Sequence, residues 1–308
     1  MISALLTLPV VALGGSLGDW STETPLPGKR TEVTAAQLDG KIYVIGGFKY
    51  FFPGGVSDSV HAYEAETKQW AEKASLPQPL HHAAVAAVNG KLYLVGGYQR
   101  IWPWRAVDTV WEYDPSQDRW QRRSPMPTAR GALAIGVIAG KIYAVGGKAG
   151  SEILATLQVY DPATDTWQAL SPMPTPRDHL AVAVADGTLY AIGGREGTRR
   201  RNLPVNEAYD PTVDRWATKT PMPTARSGIA AAVVGGQIYI FGGEDPERTF
   251  DETEAYNPKT DQWVKLTPMP TARHGLGAAS WGGRIYVIGG GPQAGGSRSD
   301  VNEVFTPP

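Results

Sequence analysis

Arginine recurs at a fixed offset in this chain of 308 residues: Arg30, Arg130, Arg177, Arg226 and Arg273 each stand sixteen residues before a Gly-Gly pair. A guanidinium carries five donors in a rigid fork, so several of them around one opening can hold carboxylates or sulfates two bonds at a time. The same donors also satisfy loop carbonyls, and recurrence at one offset is what a repeating backbone would demand. The second reading is preferred for most of the five, and the two are compatible. The sixth equivalent position is Leu80, followed by His81 and His82. With His61, His179 and His274 they are the chain's five histidines. None of them shows a helical metal-ligand spacing, and no metal is expected. Cysteine is absent, which excludes disulfides, zinc-thiolate sites and cysteine nucleophiles. Nucleophile-elbow, P-loop and dinucleotide fingerprints are missing too, so no cofactor is expected. Glu244, Glu196, His81 and His82 are the candidates for proton transfer.

The segments after the Gly-Gly pairs carry the other functional candidates. FKYFFPGGVSD (48–58) holds Tyr50, Phe51 and Phe52, and YQRIWPWR (98–105) holds Arg100, Trp102, Trp104 and Arg105. Aromatic rings beside polar donors suit sugar rings or peptide side chains. The competing reading is that these loops fold over and bury their own rings. KAGSEILA (148–155) is plain, REGTRRRNLP (195–204) is basic, EDPERTFD (244–251) is acidic, and GPQAGGSRSD (291–300) is rich in Gly and Ser. Arg195, directly after its glycines, is placed to point inward. The run Arg199-Arg200-Arg201 reads as a solvated loop.

The elements that position these residues repeat. Six strands end in Gly-Gly: IYVIGG (42–47), LYLVGG (92–97), IYAVGG (142–147), LYAIGG (189–194), IYIFGG (238–243) and IYVIGG (285–290). Six tryptophans keep step, Trp20, Trp70, Trp120, Trp167, Trp216 and Trp263, the last five each seven residues after a tyrosine. A period of this length marks a propeller or solenoid. Each period contains four short strands. The first is rich in small residues and ends in a turn such as Asp39-Gly40 or Asn89-Gly90, types that tolerate positive φ in tight hairpins. Side-chain size rises from the first strand to the fourth, as it must where blades crowd at an axis and splay at a rim. The predicted fold is an all-β, six-bladed propeller of four-stranded antiparallel blades over residues 15–308. GDWSTETPLP (18–27) is a fourth strand without its first three, and VNEVF (301–305) is a third strand without its fourth. Together they complete one blade and close the ring, which removes an open seam.

These residues resemble the kelch-repeat family, whose pattern is a double glycine after a hydrophobic strand and then a spaced tyrosine and tryptophan. All six repeats match, with Phe305 in the last tyrosine slot. The resemblance implies the fold and leaves the function open, because kelch propellers include binding scaffolds and enzymes alike. In kelch adaptors of ubiquitin ligases, arginines on this face bind acidic peptides. Galactose oxidase, another kelch propeller, needs a tyrosine cross-linked to a cysteine, which this chain cannot form. Bacterial six-bladed kelch proteins that interconvert sialic acid anomers need an acid/base residue and an arginine near the channel. Anomer exchange asks only for positioned proton transfer.

Composition bounds the remaining choices. With 29 basic and 30 acidic side chains, the chain has no surplus for neutralising phosphate backbones, so no nucleic-acid partner is expected. MISALLTLPVVALGG at the start is apolar but too short to span a bilayer, and no transmembrane segment is expected. Residues 1–14 read as a signal remnant or a tail packed on the fold, which favours a secreted or periplasmic location over a cytoplasmic one. The expected function is non-catalytic binding of a peptide, protein partner or glycan with anionic character by a monomer. The Gly-Gly-loop face would carry the site, built from Tyr50, Phe51, Phe52, Arg100, Trp102, Trp104, Arg105, Arg130, Arg177, Arg195, Arg226, Glu244 and Arg273. The alternatives are a carbohydrate-active enzyme, such as a sialic acid mutarotase or epimerase at the channel mouth, and a structural module of a larger assembly.

Overall fold

The computed structural model describes residues 17–308, so the expected apolar tail lies outside the described residues. Six four-stranded antiparallel sheets stand as blades around one axis. Blade one runs Thr34–Leu38, Lys41–Ile45, Val60–Glu64 and Gln69–Lys73 from axis to rim. The next four blades repeat this order. Their innermost strands are Ala84–Val88, Ala134–Ile138, Ala181–Ala185 and Ala230–Val234. Alanine, glycine and valine dominate there because little room is left beside the axis. In blade six, Gly277–Trp281, Arg284–Ile288 and Asn302–Thr306 are completed by Asp19–Thr22 from the other end of the chain. Trp20 pairs with Phe305 across that closing register. Among the described residues no helix is long and apolar enough to cross a membrane.

Each inner hairpin turns through two residues at positive φ, such as Asp39 at 50° and Gly40 at 76°. This is the turn whose twist matches that of the flanking strands. The Gly-Gly pairs have a different cause. A Cβ on Gly46 would lie 2.4 Å from the carbonyl oxygen of Leu80 in the next blade. The following N–H, from Gly47, donates to that same oxygen at 2.9 Å. The contact recurs from Gly97 to Arg130, Gly147 to Arg177, Gly194 to Arg226, Gly243 to Arg273, and finally Gly290 to Arg30. A closed hoop of backbone hydrogen bonds results, and its double glycine is a packing requirement.

The rim is clasped by side chains. Trp120 Nε1 donates to the carbonyl of Ala74 in the preceding blade at 2.8 Å, while the N–H of Ala74 donates to Asp118 at 2.9 Å. Tyr113 fixes Asp118 in turn at 2.5 Å. The same two-point clasp joins Trp167 and Asp165 to Ser124, Trp216 and Asp214 to Ser171, and Trp263 and Asp261 to Thr220. Between hoop and clasp, the apolar core lies in the seams between neighbouring blades. One seam packs Ala84, Tyr93, Val95 and Val110 against Leu133, Ile142, Ala144 and Tyr160.

Candidate functional site

The repeated arginines do not surround the mouth, and their expected place there is corrected. Arg30, Arg130, Arg177, Arg226 and Arg273 are at most 1% exposed. Their donors point into the blade seams. Arg177 reaches the Ala191 carbonyl at 2.8 Å and Glu207 at 2.6 Å, and Arg226 reaches the Gly242 carbonyl at 2.7 Å and Glu254 at 2.5 Å. Arg273 likewise holds the Gly289 carbonyl and Glu303, each at 2.7 Å. Arg130 binds the carbonyls of Ala144 and Thr156. Loop carbonyls and third-strand carboxylates use the guanidinium that the sequence left open to a ligand.

The residues that do converge on the axis stand two positions after those arginines and, in blade two, after Leu80. Glu32, His82, Ala132, His179, Gly228 and Gly275 all have φ between 51° and 68°. Their backbones form a second closed hoop: His82 N–H donates to Glu32, Ala132 to His82, His179 to Ala132, Gly228 to His179, Gly275 to Gly228, and Val33 to Gly275. The backbone is the same six times over, and the side chains differ. The residues directly after Gly-Gly behave alike. Phe48, Tyr98, Lys148, Arg195, Glu244 and Gly291 each bridge to the residue just before a hoop position.

From these two sets, joined by His274 just before Gly275, a polar circuit closes over the channel. Glu32 meets His82 Nε2 at 3.1 Å. The His82 and His179 rings lie 4.9 Å apart. His179 Nε2 accepts from Arg195 at 2.8 Å, and Arg195 donates to Glu244 at 3.0 Å. His274 Nε2 stands 3.8 Å from Glu244 and 3.6 Å from Glu32, completing the circuit. Below it the channel opens into a cavity of about 200 Å³, walled by Glu32, His82, His179 and the apolar inner strands. Arg199 reaches Glu244 from above at 3.2 Å.

Hydrogen-bond partners assign the protons. His81 Nε2 faces the Arg100 carbonyl at 3.1 Å and must donate to it. Its Nδ1 therefore accepts from His82 Nδ1 at 2.6 Å. His82 Nε2 is then left without a proton and faces a Glu32 carboxyl oxygen 3.1 Å away. Burial pushes His81 down to about 3 and His82 well below its ordinary value, which opposes a second proton on either ring. His274 is different: both its nitrogens face carbonyl oxygens, of Gly291 and Gly295, each at 3.0 Å. Burial alone would raise Glu244, but His274, Arg195, the Gly295 N–H and Arg199 hold its carboxyl below the ordinary range. Burial would raise Asp178 as well, and His179 and Arg195 outweigh it. Arg195 and Arg199 thus stand among three carboxyl groups at the mouth, those of Glu32, Asp178 and Glu244. Glu32, His82 and His179 also bring ligand atoms within 4.8 Å of one another, a set of metal-ligand types. The Arg195 guanidinium already occupies the His179 nitrogen that a cation would need.

The aromatic loops divide. Tyr50, Phe52, Trp102 and Trp104 are exposed, Phe52 by 74% and Trp102 by 87%. Phe51 is half-buried, 4.9 Å from the buried Phe48. Trp104 does both jobs: it keeps 40% of its surface while lying 4.7 Å from the His82 ring and 5.1 Å from Tyr98. Arg100 and Arg105 are exposed beside it. Glu196 sits apart from the circuit, paired with Arg201 at 3.0 Å. Sequence reasoning missed Glu32, Asp178, His179 and His274 as site residues. The signal was present: aligned by repeat, their positions vary in side chain where the fold demands only a backbone.

An axial channel, one hoop of six Gly-Gly contacts and clasped rims define a kelch-type β-propeller. The chain belongs to the attractin/LZTR1 β-propeller family, whose model matches residues 19–245. The kelch motif matches residues 225–270. Comparison with solved structures finds 1004 similar chains. Among them is the structure of YjhT, with a TM-score of 0.80 and 17% identity over 92% of this chain and 96% of that one. At that identity the likeness speaks for the fold alone. Comparison with curated protein sequences finds no match.

Proposed function

We propose that the chain is a binding propeller that takes an anionic peptide or glycan across the Gly-Gly-loop face. One observation carries this reading: four large aromatic side chains, Tyr50, Phe52, Trp102 and Trp104, stand exposed on two neighbouring loops. Soluble chains seldom leave such rings in water without a use for them. The exposed Arg100 and Arg105 beside these rings favour an anionic ligand. A glycan and peptide array, with a Trp102→Ala/Trp104→Ala double variant as control, tests it. Binding to acidic ligands is expected, and it should be lost in the variant. Unchanged binding in the variant removes the aromatic shelf from the function.

The approach of the Glu32 carboxyl to His82 Nε2 at 3.1 Å favours a second reading, in which the mouth acts on a small sugar acid. A carboxyl and an imidazole side by side above a cavity of about 200 Å³ are groups that general acid/base catalysis can use. Line-broadening exchange between sugar anomers should then accelerate with the wild-type chain and not with Glu32→Gln. No acceleration by the wild type over buffer rejects this reading.

A further inference from the structure

The buried arginines carry a pairing rule that one blade breaks beside an open cleft. Two residues before the third-strand tyrosine or phenylalanine, blades four to six have Glu207, Glu254 and Glu303. Each neutralises the arginine of its own blade at 2.5–2.7 Å and is held by a threonine, Thr175, Thr224 or Thr271, at 2.7 Å. In blade two both partners are apolar, Leu80 and Trp111. Charge and countercharge are present together or absent together in these four blades. Blade one keeps Arg30 and has His61 in the glutamate's place. Arg30 donates to the Gly46 and Ser59 carbonyls and to His61 Nδ1 at 3.0 Å, and its Nε is buried without a partner. His61 is neutral in this position, pushed down to about 4 by burial and by Arg30 and Lys49. A buried guanidinium without a countercharge is costly. Arg130 shares the deficit, facing Gln158. At Arg30, however, the deficit lies on the wall of a cleft.

That cleft has a volume of about 360 Å³ and is walled by Pro27, Gly28, Lys29, Arg30, Lys49, Ser59 and Arg298. Lys49 pairs with Asp58 at 3.6 Å, while Lys29 and Arg298 extend into solvent. Four cationic side chains from two Gly-Gly loops and one inter-blade connection therefore face one opening. We propose that this cleft binds a phosphate or sulfate group, whose charge offsets the guanidinium that blade one leaves without a glutamate. Lys29, Lys49 and Arg298 hold the anion, and the buried Arg30 adds its charge from the wall behind them. The site is separate from the aromatic shelf and from the channel mouth.

Calorimetric titration of the full chain with inorganic phosphate, and in parallel with glycerol phosphate, tests the proposal. Binding of either supports it, and the tighter of the two tells whether a free or an esterified group is preferred. His61→Glu supplies an internal countercharge on the pattern of blades four to six. It should weaken phosphate binding by about tenfold or more and raise the melting temperature in phosphate-free buffer. Arg298→Ala should weaken binding as well, and it decides the matter alone if His61→Glu does not fold. Arg201→Ala, an exposed arginine of another loop, should leave the affinity unchanged. The Trp102→Ala/Trp104→Ala variant should still bind phosphate, which separates this site from the shelf. No binding of either anion to the wild type, or wild-type affinity in both His61→Glu and Arg298→Ala, overturns it.

Discussion

The protons on His81 and His82 follow from counting donors, so they can be tested as a count. His81 Nε2 donates to the Arg100 carbonyl and His82 Nδ1 donates to His81 Nδ1, and burial opposes a second proton on either ring. Nitrogen chemical shifts of the histidine rings should show one protonated nitrogen in each, Nε2 of His81 and Nδ1 of His82. Protons on both nitrogens of His82 near neutral pH would refute the assignment. His61 offers a second test, through pH. Burial, Arg30 and Lys49 push its folded value down to about 4, whereas an unfolded imidazole titrates near its ordinary value of about 6.5. Between those values the unfolded chain binds the extra proton, so stability must fall as pH drops from about 7 toward 4. His81 and His82, also lowered by burial, act in the same direction. His61→Gln, which borrows the residue of blade three, should flatten the slope by up to about 1.4 kcal/mol per pH unit. An unchanged slope would mean that His61 takes up its proton equally in both states.

At the scale of the strand and loop, tryptophans of one type have two kinds of work. Trp120 fills the seam at 7% exposure and clasps Ala74. Trp120→Ala should therefore cost about 3–5 kcal/mol, in the range of large-to-small core changes. Trp102→Ala should stay within about 0.5 kcal/mol, because its ring touches water over most of its surface. Chemical denaturation of the two variants separates them, and a large loss from Trp102→Ala would place that ring in the fold's own packing. This division was legible in the sequence, since Trp120 recurs in every blade and Trp102 in one. The inner strands, the turns and the Gly-Gly positions were legible for the same reason. The arginines were misplaced because recurrence shows that a side chain serves the blade without showing which way it points. Their direction is set by Glu207, Glu254 and Glu303, which lie about thirty residues along the chain from Arg177, Arg226 and Arg273. The circuit at the mouth was missed for the opposite reason. Glu32, His179 and His274 come from three blades, and only the closed backbone hoop brings them within reach of one another.

The whole molecule depends on that closure, because both hoops and every seam need all six blades. Asp19–Thr22 supplies the last rim strand, and Trp20 donates to the Thr267 carbonyl at 2.9 Å, as its five counterparts do to their neighbours. The same segment carries Glu23, which accepts from Tyr63 at 3.0 Å and pairs with Lys68. Blade one lacks the aspartate that blades two to five place two residues before their tryptophan, having Lys68 there, and Glu23 of the neighbouring segment takes over the bond to the tyrosine. Leu26 seals the seam against Val33, Ile42 and Ile288. Deleting Gly18–Pro27 thus removes a strand, a clasp and a seam at once, and it bares the edge of Asn302–Thr306 to other chains. The deletion should give an insoluble protein or an open ring. In a soluble open ring, amide exchange should quicken first in Asn302–Thr306 and Arg284–Ile288, and then at Val33 and Gly290, whose N–H groups close the two hoops. A soluble deletion variant with unchanged melting would show that the six blades hold together without their closing strand.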